Sequence, residues 1–256
     1  MKLKKSFKNK KLIVFDMDGT LTPSKAPMRR DMARLLKRLL EQTRVAVIGG
    51  GGYAQFRRQF LGKAKFRSAL LGRLYVFPTS STACYRWKNG WKNVYARTLP
   101  SRTKTRIFAA FKEVFRATGY THPKKLYGRV IEDRGTQVTF SAVGQKTPIP
   151  VKMVWKKKHD KIRRQLARLL ARRLPDLEVR VGGLTSIDVT PKGIDKAYGI
   201  RQIEKVLRVG IGDMLFVGDA IFPGGNDYAV VRTGVDYIKV HGPEETKAVI
   251  RFLLAK

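Results

Sequence analysis

The sequence predicts an α/β protein in which a doubly wound parallel sheet is interrupted by an inserted α+β unit. Short, continuous apolar runs alternate with amphipathic helical segments at both ends of the 256-residue chain. Continuous apolar runs are typical of strands buried on both faces, and their alternation with helices indicates a parallel sheet. In the middle of the chain the rhythm changes to alternating polar and apolar residues, which indicates antiparallel strands.

The first half of the sheet comes from the amino-terminal residues. The predicted strands are KLIVFD, RVAVIG and RLYVFP, and helices are predicted around residues 28–42 and 53–62. From residue 83 the segments TACYRW and WKNVYAR alternate around an Asn-Gly turn, which predicts a hairpin. A helix at about 102–117, the strands KLYGRVIED and GTQVTFSAVG, a basic helix near 157–174 and the strand LEVRVGG follow.

The carboxyl-terminal residues return to the first pattern. GIDKAYGIRQIEKVL, MLFVGD, GVDYIKV and EETKAVIRFLLA predict a helix, two strands and a final helix. We therefore predict a Rossmann-like core domain formed by residues 1–82 and 187–256, with a cap domain formed by residues 83–186.

The charge of the chain is unusual. There are 54 Lys and Arg residues against 19 Asp and Glu, a net charge of +35, and residues 1–175 carry the whole excess, with 43 basic and 8 acidic residues. Such an asymmetry predicts non-specific binding of polyanions. No apolar run approaches the length of a membrane-spanning helix, and Cys84 alone permits neither an internal disulfide nor a cysteine-based zinc site. A cytoplasmic protein is expected, and the sequence does not indicate its oligomeric state.

Carboxylates follow two of the predicted core strands. Asp16 and Asp18 come at the end of the first strand, and Asp219 follows the strand MLFV. Ligands of open α/β sheets bind beyond the carboxyl ends of the strands, so these side chains are expected to converge. Converging carboxylates repel unless a hard cation lies among them, which predicts Mg²⁺. The alternative is structural: Asp18 with Gly19 forms a turn, and Asp219 caps the next helix.

Three motifs carry a resemblance to a known superfamily. DMDGTLTP, KGIDK and VGDAIFPGGND resemble, in order and placement, the haloacid dehalogenase (HAD) superfamily of phosphotransferases. The inserted unit resembles the type II cap of that superfamily. IEDRGTQVTFSAVGQ and VRVGGLTSIDVTPKGIDKAYGI resemble the cap-to-core segments of its phosphomannomutase-like branch.

The resemblance implies a covalent mechanism in the core. Asp16 would attack phosphorus and form an aspartyl phosphate, and Asp18 would act as general acid and base. Mg²⁺ would be held by Asp16, the Asp18 carbonyl and Asp219, while Lys196 would neutralise charge on the transferred group. The residues that would orient the lysine and the metal ligands are Asn226 and Asp227.

The resemblance also implies phosphate and substrate contacts. The backbone N–H groups of Gly49 and Gly50 would bind phosphate where many members carry a hydroxyl. In the cap, Arg134 would hold a phosphate or a sugar hydroxyl, and Ser186 and Asp188 would contact the sugar. As alternatives, Arg134 is one more basic residue on an edge strand, and the other two are structural.

Gln145 bears on the choice between two enzymatic hypotheses. Phosphomannomutases carry a second cap arginine there for the distal phosphate, and the substitution favours hydrolysis. The leading hypothesis is therefore a Mg²⁺-dependent phosphohydrolase of a small phosphorylated metabolite, with a sugar phosphate favoured. The first alternative is a phosphomannomutase-type sugar-phosphate mutase. The second is a polyanion- or nucleic-acid-binding protein that keeps the catalytic residues as relics.

Overall fold

A computed structural model of the chain describes residues 3–23 and 26–255. The chain divides into two compact units. Unit 1 is formed by residues 1–96 and 195–256, and unit 2 by residues 97–194. In the described residues, no helix has both the length and the apolar character needed to cross a membrane.

Strands and helices alternate in the amino- and carboxyl-terminal parts of the described residues, and pairs of consecutive strands lie between these parts, as the sequence predicts. The strands are β1 (Leu12–Asp16), β2 (Arg44–Ile48), β3 (Leu74–Phe77), β4 (Ala83–Trp87), β5 (Trp91–Ala96), β6 (Ile131–Asp133), β7 (Val138–Ser141), β8 (Leu177–Gly182), β9 (Ser186–Pro191), β10 (Met214–Gly218) and β11 (Asp236–Lys239). The helices are α1 (Arg30–Gln42), α2 (Tyr53–Phe56), α3 (Ser68–Leu71), α4 (Pro78–Ser81), α5 (Ser101–Thr118), α6 (Ile149–Arg173), α7 (Lys196–Leu207) and α8 (Pro243–Leu254).

Unit 1 is built on a seven-stranded sheet. Its order is β11-β10-β1-β2-β3-β4-β5, and the first five of these strands are parallel. Successive side chains of β1 point to opposite faces, as strand geometry requires. Ile13 and Phe15 pack with residues of α1 and α8, whereas Leu12 and Val14 pack with residues of α7. The predicted α/β fold with a parallel, doubly covered sheet is confirmed.

Unit 2 has a core of its own. Its antiparallel sheet has the order β6-β7-β9-β8, and α5 and α6 contribute apolar side chains to one cluster with it. Phe111 of α5, Phe140 of β7 and Leu166 of α6 are fully buried there. Each such side chain stabilises the unit by about 1.5–3 kcal/mol through burial.

Two boundaries differ from the sequence prediction. The hairpin β4–β5 pairs antiparallel with β3 and extends the sheet of unit 1, so the first boundary lies at 96/97 instead of 82/83. The strand β9 pairs with β7 and β8, which moves the second boundary to 194/195. Alternation reveals a hairpin, but it does not reveal which sheet the hairpin joins. Helix α6 also begins earlier than predicted, at Ile149, because a proline is tolerated in a first helical turn.

Candidate active site

The candidate site lies at the carboxyl ends of β1 and β10. Asp16 is the last residue of β1, and Asp219 directly follows β10. The two strands are neighbours in the sheet and run parallel, so the side chains that follow them lie at the same edge. This is the convergence that the sequence predicts.

Lys196 joins two of the acidic side chains. Its Nζ donates hydrogen bonds to Oδ1 of Asp16 and to Oδ1 of Asp227. All three side chains are at least 95% buried. Lys196 is the first residue of α7, and Asp195 begins that helix by accepting a hydrogen bond from the backbone N–H of Tyr198 at 2.8 Å. The N-cap therefore fixes the start of the helix and with it the position of the lysine.

Asp227 is held from both sides. Its Oδ2 accepts a hydrogen bond from the backbone N–H of Ala220 at 3.1 Å. The backbone of Gly218 approaches the same oxygen so closely that a Cβ there would lie 2.4 Å from it. Glycine is therefore required at the end of β10 to let the carboxylate reach Lys196.

Asp219 packs against the loop that follows β1. Its Oδ1 accepts a hydrogen bond from Oγ1 of Thr20 at 3.4 Å. Gly19 has φ +90°, and a Cβ on it would lie 2.5 Å from Oδ2 of Asp219. The Asp-Gly step of the first motif is thus required twice, by the left-handed backbone and by the close approach.

The side chain of Asp18 is turned toward the helix that follows the glycine run. Its Oδ2 accepts a hydrogen bond from Nε2 of Gln55 at 2.9 Å. Asp18 is half-buried, whereas Asp16 is only 3% exposed. The two carboxylates therefore have different environments, which is what separate roles as nucleophile and proton donor require.

The electrostatics of the site show an excess of negative charge. Burial raises the pKa of Asp16 well above its ordinary value; Asp227 and Asp219 raise it further, and Lys196 lowers it. Burial and the neighbouring Asp227 also raise the pKa of Asp219. Burial acts to lower the pKa of Lys196, but Asp16 and Asp227 outweigh it and the pKa is raised. One lysine thus does not balance three carboxylates.

The donor set fits a hard divalent cation. Carboxylate oxygens of Asp16, Asp219 and Asp227 all lie within 4.8 Å of one another. Oxygen ligands are those that Mg²⁺ prefers, and a cation would offset the charge that raises the two aspartate pKa values. The sequence predicted Asp16 and Asp219 with the Asp18 carbonyl; the structure adds the Asp227 carboxylate to the group.

The glycine run after β2 is fixed by α4, a short segment after β3 whose backbone is left-handed at Thr79 and Ser80. The backbone N–H of Gly49 donates to the carbonyl of Phe77 at 3.2 Å, so in this structure it is engaged within the protein. Thr79 and Ser80 have φ values of 49° and 54°. Their backbone N–H groups donate hydrogen bonds to the carbonyls of Gly51 and Gly49, respectively, at 2.9 Å each. Left-handed backbone is costly for residues with a Cβ. The role of Gly49 and Gly50 in phosphate binding stays a prediction.

In unit 2, the predicted substrate residues belong to one polar network. Arg134 donates from Nε to Glu132 at 2.8 Å and from Nη2 to Oε1 of Gln145 at 3.2 Å. Nε2 of Gln145 in turn lies 3.4 Å from the carbonyl of Thr139, whose Oγ1 donates to Asp188 at 2.7 Å. The structure therefore connects Arg134, Gln145 and Asp188.

Two predicted residues lie outside these networks of hydrogen-bonded side chains. Ser186 is 6% exposed on β9 and pairs in register with Ser141. Asn226 is exposed and immediately precedes Asp227. Their predicted functions stay predictions.

A family model for eukaryotic phosphomannomutase matches residues 32–256. The chain belongs to this family. The resemblance to the HAD superfamily and to its phosphomannomutase-like branch is thereby confirmed. The matched range begins after Asp16 and Asp18, and the alignment with one individual phosphomannomutase, described next, covers 93% of the chain.

Named phosphomannomutases from distant organisms are similar to this chain in sequence. The phosphomannomutase of Encephalitozoon cuniculi is 31% identical over 251 residues, covering 93% of this chain and 91% of the relative. Human phosphomannomutase 1 is 26% identical over 235 residues, covering 87% and 84%. Among solved structures, the truncated, IMP-bound IMP-nucleotidase of Plasmodium falciparum matches with a TM-score of 0.67 at 16% identity, covering 96% of this chain and 68% of that one. That likeness supports the fold.

The phosphohydrolase hypothesis is wrong. The family model and the named relatives are phosphomannomutases, which corresponds to the first alternative drawn from the sequence. The inference toward hydrolysis depended on Gln145 alone. In the structure Gln145 accepts a hydrogen bond from Arg134, so the amide at this position orients the arginine and does not by itself indicate hydrolysis.

Sequence reasoning missed several polar partners. In unit 1 these are Thr20 and Gln55, which bind Asp219 and Asp18. Thr20 directly follows the Asp-Gly step and could have been included with it. Gln55 carries no such signal, because its contact depends on how α2 packs. In unit 2 the missed residues are Glu132, Gln137 and Thr139.

Proposed function

We propose that the chain is a sugar-phosphate mutase of the phosphomannomutase type, which interconverts a hexose 1-phosphate and its 6-phosphate. The observation that carries the proposal is the buried contact of Lys196 with Asp16 and Asp227, in a chain that belongs to the phosphomannomutase family. Burying a lysine between two carboxylates costs desolvation free energy. A protein that keeps its catalytic residues only as relics would gain nothing from this arrangement.

Asp16 is the phosphoryl carrier in this proposal. In one half of the cycle the bond between phosphorus and the Asp16 carboxylate breaks, and a hydroxyl oxygen of the sugar monophosphate forms a new bond to phosphorus. The product is a sugar bisphosphate. In the other half, the phosphate that the sugar carried from the start is transferred to Asp16, and its bond to the sugar oxygen breaks. Lys196 orients the carboxylate and stabilises negative charge on the transferred group.

Asp18 moves the proton. It accepts the proton from the attacking sugar hydroxyl in the first half and returns it to the departing sugar oxygen in the second. Gln55 holds the side chain of Asp18 in a fixed orientation by its hydrogen bond of 2.9 Å.

Lys196 alone does not neutralise the negative charge of the phosphate and of the acidic residues. Mg²⁺ held by Asp16, Asp219 and the Asp18 carbonyl, with Asp227 nearby, would reduce the repulsion between the nucleophile and the phosphate. In unit 2, Arg134 is the candidate for the distal phosphate, since Glu132 and Gln145 fix its guanidinium.

The test is ³¹P NMR of hexose 1-phosphate in the presence of Mg²⁺ and a hexose bisphosphate. We expect 6-phosphate to accumulate, and mannose to be the preferred hexose. Asp16→Asn should abolish interconversion and keep the fold, because the amide has the same shape and is not a nucleophile. Asp213→Asn is the matched control: that aspartate pairs with Lys11 at 2.8 Å, outside the site, and its loss should leave turnover unchanged. Release of inorganic phosphate without interconversion would contradict the proposal, as would full activity of Asp16→Asn.

A further inference from the structure

Helix α6 of unit 2 presents a continuous basic stripe on its exposed side. The helix contains ten Lys and Arg residues and one carboxylate, Asp160. The spacing of four, three, four and four residues places five exposed cations on one face of an α-helix. These residues, called the α6 stripe below, are Lys157, Lys161, Arg164, Arg168 and Arg172.

The opposite face of α6 fixes this orientation. Trp155, Leu166 and Leu170 are buried in the core of unit 2. Arg163 is also buried on that side, where it donates to the carbonyls of Gly182 and Gly183 and pairs with Asp160. The helix therefore cannot rotate the stripe inward without exposing its apolar face.

Little negative charge compensates the stripe. Asp160 accepts from Arg164 at 2.7 Å and is shared with the buried Arg163. Within the described residues, no carboxylate lies in salt-bridge distance of the other four stripe residues. Like charges three or four positions apart destabilise a helix, and an ordinary exposed helix intersperses glutamates at these positions. The stripe is thus the charge pattern expected for a helix that meets a polyanion.

We propose that the α6 stripe binds the phosphate backbone of double-stranded nucleic acid without sequence specificity. From Lys157 to Arg172 the stripe is about 22 Å long at 1.5 Å per residue. Over this length a duplex presents about 13 phosphates, since it carries one charge per roughly 1.7 Å of its axis. A row of cations at regular helical spacing matches a regular polyanion of this kind.

Other anionic partners fit the stripe less well. The exposed large apolar side chains of α6, Val151, Met153 and Val154, lie before the stripe begins, and none lies between Lys157 and Arg172. The part of the helix that carries the stripe therefore has no exposed apolar face to insert into a lipid bilayer. Single-stranded nucleic acid is bound largely by stacking on aromatic side chains, and the tryptophan of α6 is buried. The regular spacing of the stripe matches the regular spacing of phosphates, and contacts to phosphates carry no sequence information.

The experiment is a fluorescence-anisotropy titration of labelled DNA duplexes of about 20 base pairs, of unrelated sequences, across a range of salt concentrations. Five phosphate contacts predict a slope of log K against log salt of about −4.5, which is a fall of about 500-fold in affinity between 50 and 200 mM salt. Because the readout is binding, a failure of the proposed mutase activity would not affect it.

Two variants with the same net charge locate the contact. The α6 variant neutralises four members of the stripe: K157Q, K161Q, R168Q and R172Q. The control variant removes four exposed positive charges from α1 of unit 1: R30Q, R34Q, K37Q and R38Q. Glutamine is a good helix former, so both helices should persist, which circular dichroism checks.

The α6 variant should reduce the magnitude of the slope by about 3.6 and lower affinity at 50 mM salt at least about tenfold, and the α1 variant should change neither. Equal effects of the two variants would overturn the proposal, because the binding would then follow net charge and not the stripe. Absence of binding, preference for one sequence at high salt, or tighter binding to anionic vesicles than to duplexes would also overturn it.

Discussion

Replacing Lys196 by methionine tests the charge balance of the candidate site. Methionine keeps the length and the apolar contacts of the lysine and removes its charge. The side chains of Lys196, Asp16 and Asp227 are 4%, 5% and 0% exposed, so solvent cannot compensate the two carboxylates. Breaking a buried ion pair by removing one partner costs about 3–5 kcal/mol. For a protein of this size the loss corresponds to a fall in Tm of roughly 6–20 °C.

The assay is calorimetric unfolding of Lys196→Met and wild type, each with and without Mg²⁺. In the absence of divalent cations the variant should lose the stability stated above. Mg²⁺ should stabilise the variant more than the wild type, because the site then holds more uncompensated carboxylate charge. Lys247→Met is the control: that lysine pairs with Asp31 and Glu244, whose side chains are 42% and 71% exposed. This variant should lose much less stability than Lys196→Met.

The pH dependence has a definite sign. Burial raises the pKa of Asp16 above its ordinary value of 3.8, so the folded protein binds this proton more tightly than the unfolded chain. The contribution of the group to stability is full below 3.8 and is lost as the pH rises through the raised pKa. Removal of Lys196 raises that pKa further, so the loss of stability in Lys196→Met should become smaller as the pH falls through the raised pKa of Asp16. A loss below about 2 °C, a loss equal to that of Lys247→Met, or no response to Mg²⁺ would refute the reasoning.

Three further predictions concern other parts of the chain. Gly218→Ala should displace Asp227 and lower the free energy of unfolding by about 1–3 kcal/mol in urea. A Cβ at Gly212 would meet no atom within 4 Å, so Gly212→Ala should change that free energy by no more than about 0.5 kcal/mol. Equal losses in the two variants would contradict the argument from close approach. Burial raises the pKa of the Cys84 thiol to about 12, so a thiol reagent should label it only after denaturation, and rapid labelling of the folded protein would disprove this. Gln145→Arg should place two guanidinium groups side by side, lowering the Tm of the free protein and lowering KM for a hexose bisphosphate about tenfold; an unchanged KM would show that the position does not face the phosphate.

Much of the fold and of the core site could be predicted because both depend on short-range patterns. A continuous apolar run identifies a buried parallel strand, and a parallel sheet brings the residues that follow its strands to one edge. This is why Asp16 and Asp219 could be placed together although 203 positions separate them. Lys196 could be added because it lies in KGIDK, one of the three motifs that carry the resemblance to the HAD superfamily.

What could not be predicted depends on packing between elements. The hairpin β4–β5 has a clear local signal, but its membership in the sheet of unit 1 is decided by pairing with β3. The contact of Gln55 with Asp18 depends on the direction in which α2 leaves the glycine run. The inference from Gln145 failed for a different reason: it took one side chain as diagnostic of an activity, while the same side chain orients Arg134 in the structure.

The chain path sets the order in which the protein can acquire its structure during synthesis. Unit 2 is continuous from 97 to 194, so all of its strands are available to pair before the second half of unit 1 exists. The central strand β1, in contrast, pairs with β10, and Asp16 meets Lys196 only 180 positions later in the sequence. Until then one edge of β1 has no partner and its apolar face is uncovered, which exposes the nascent chain to aggregation. We therefore expect the inserted unit to fold first and the carboxylates of the candidate site to come together last, near the completion of translation.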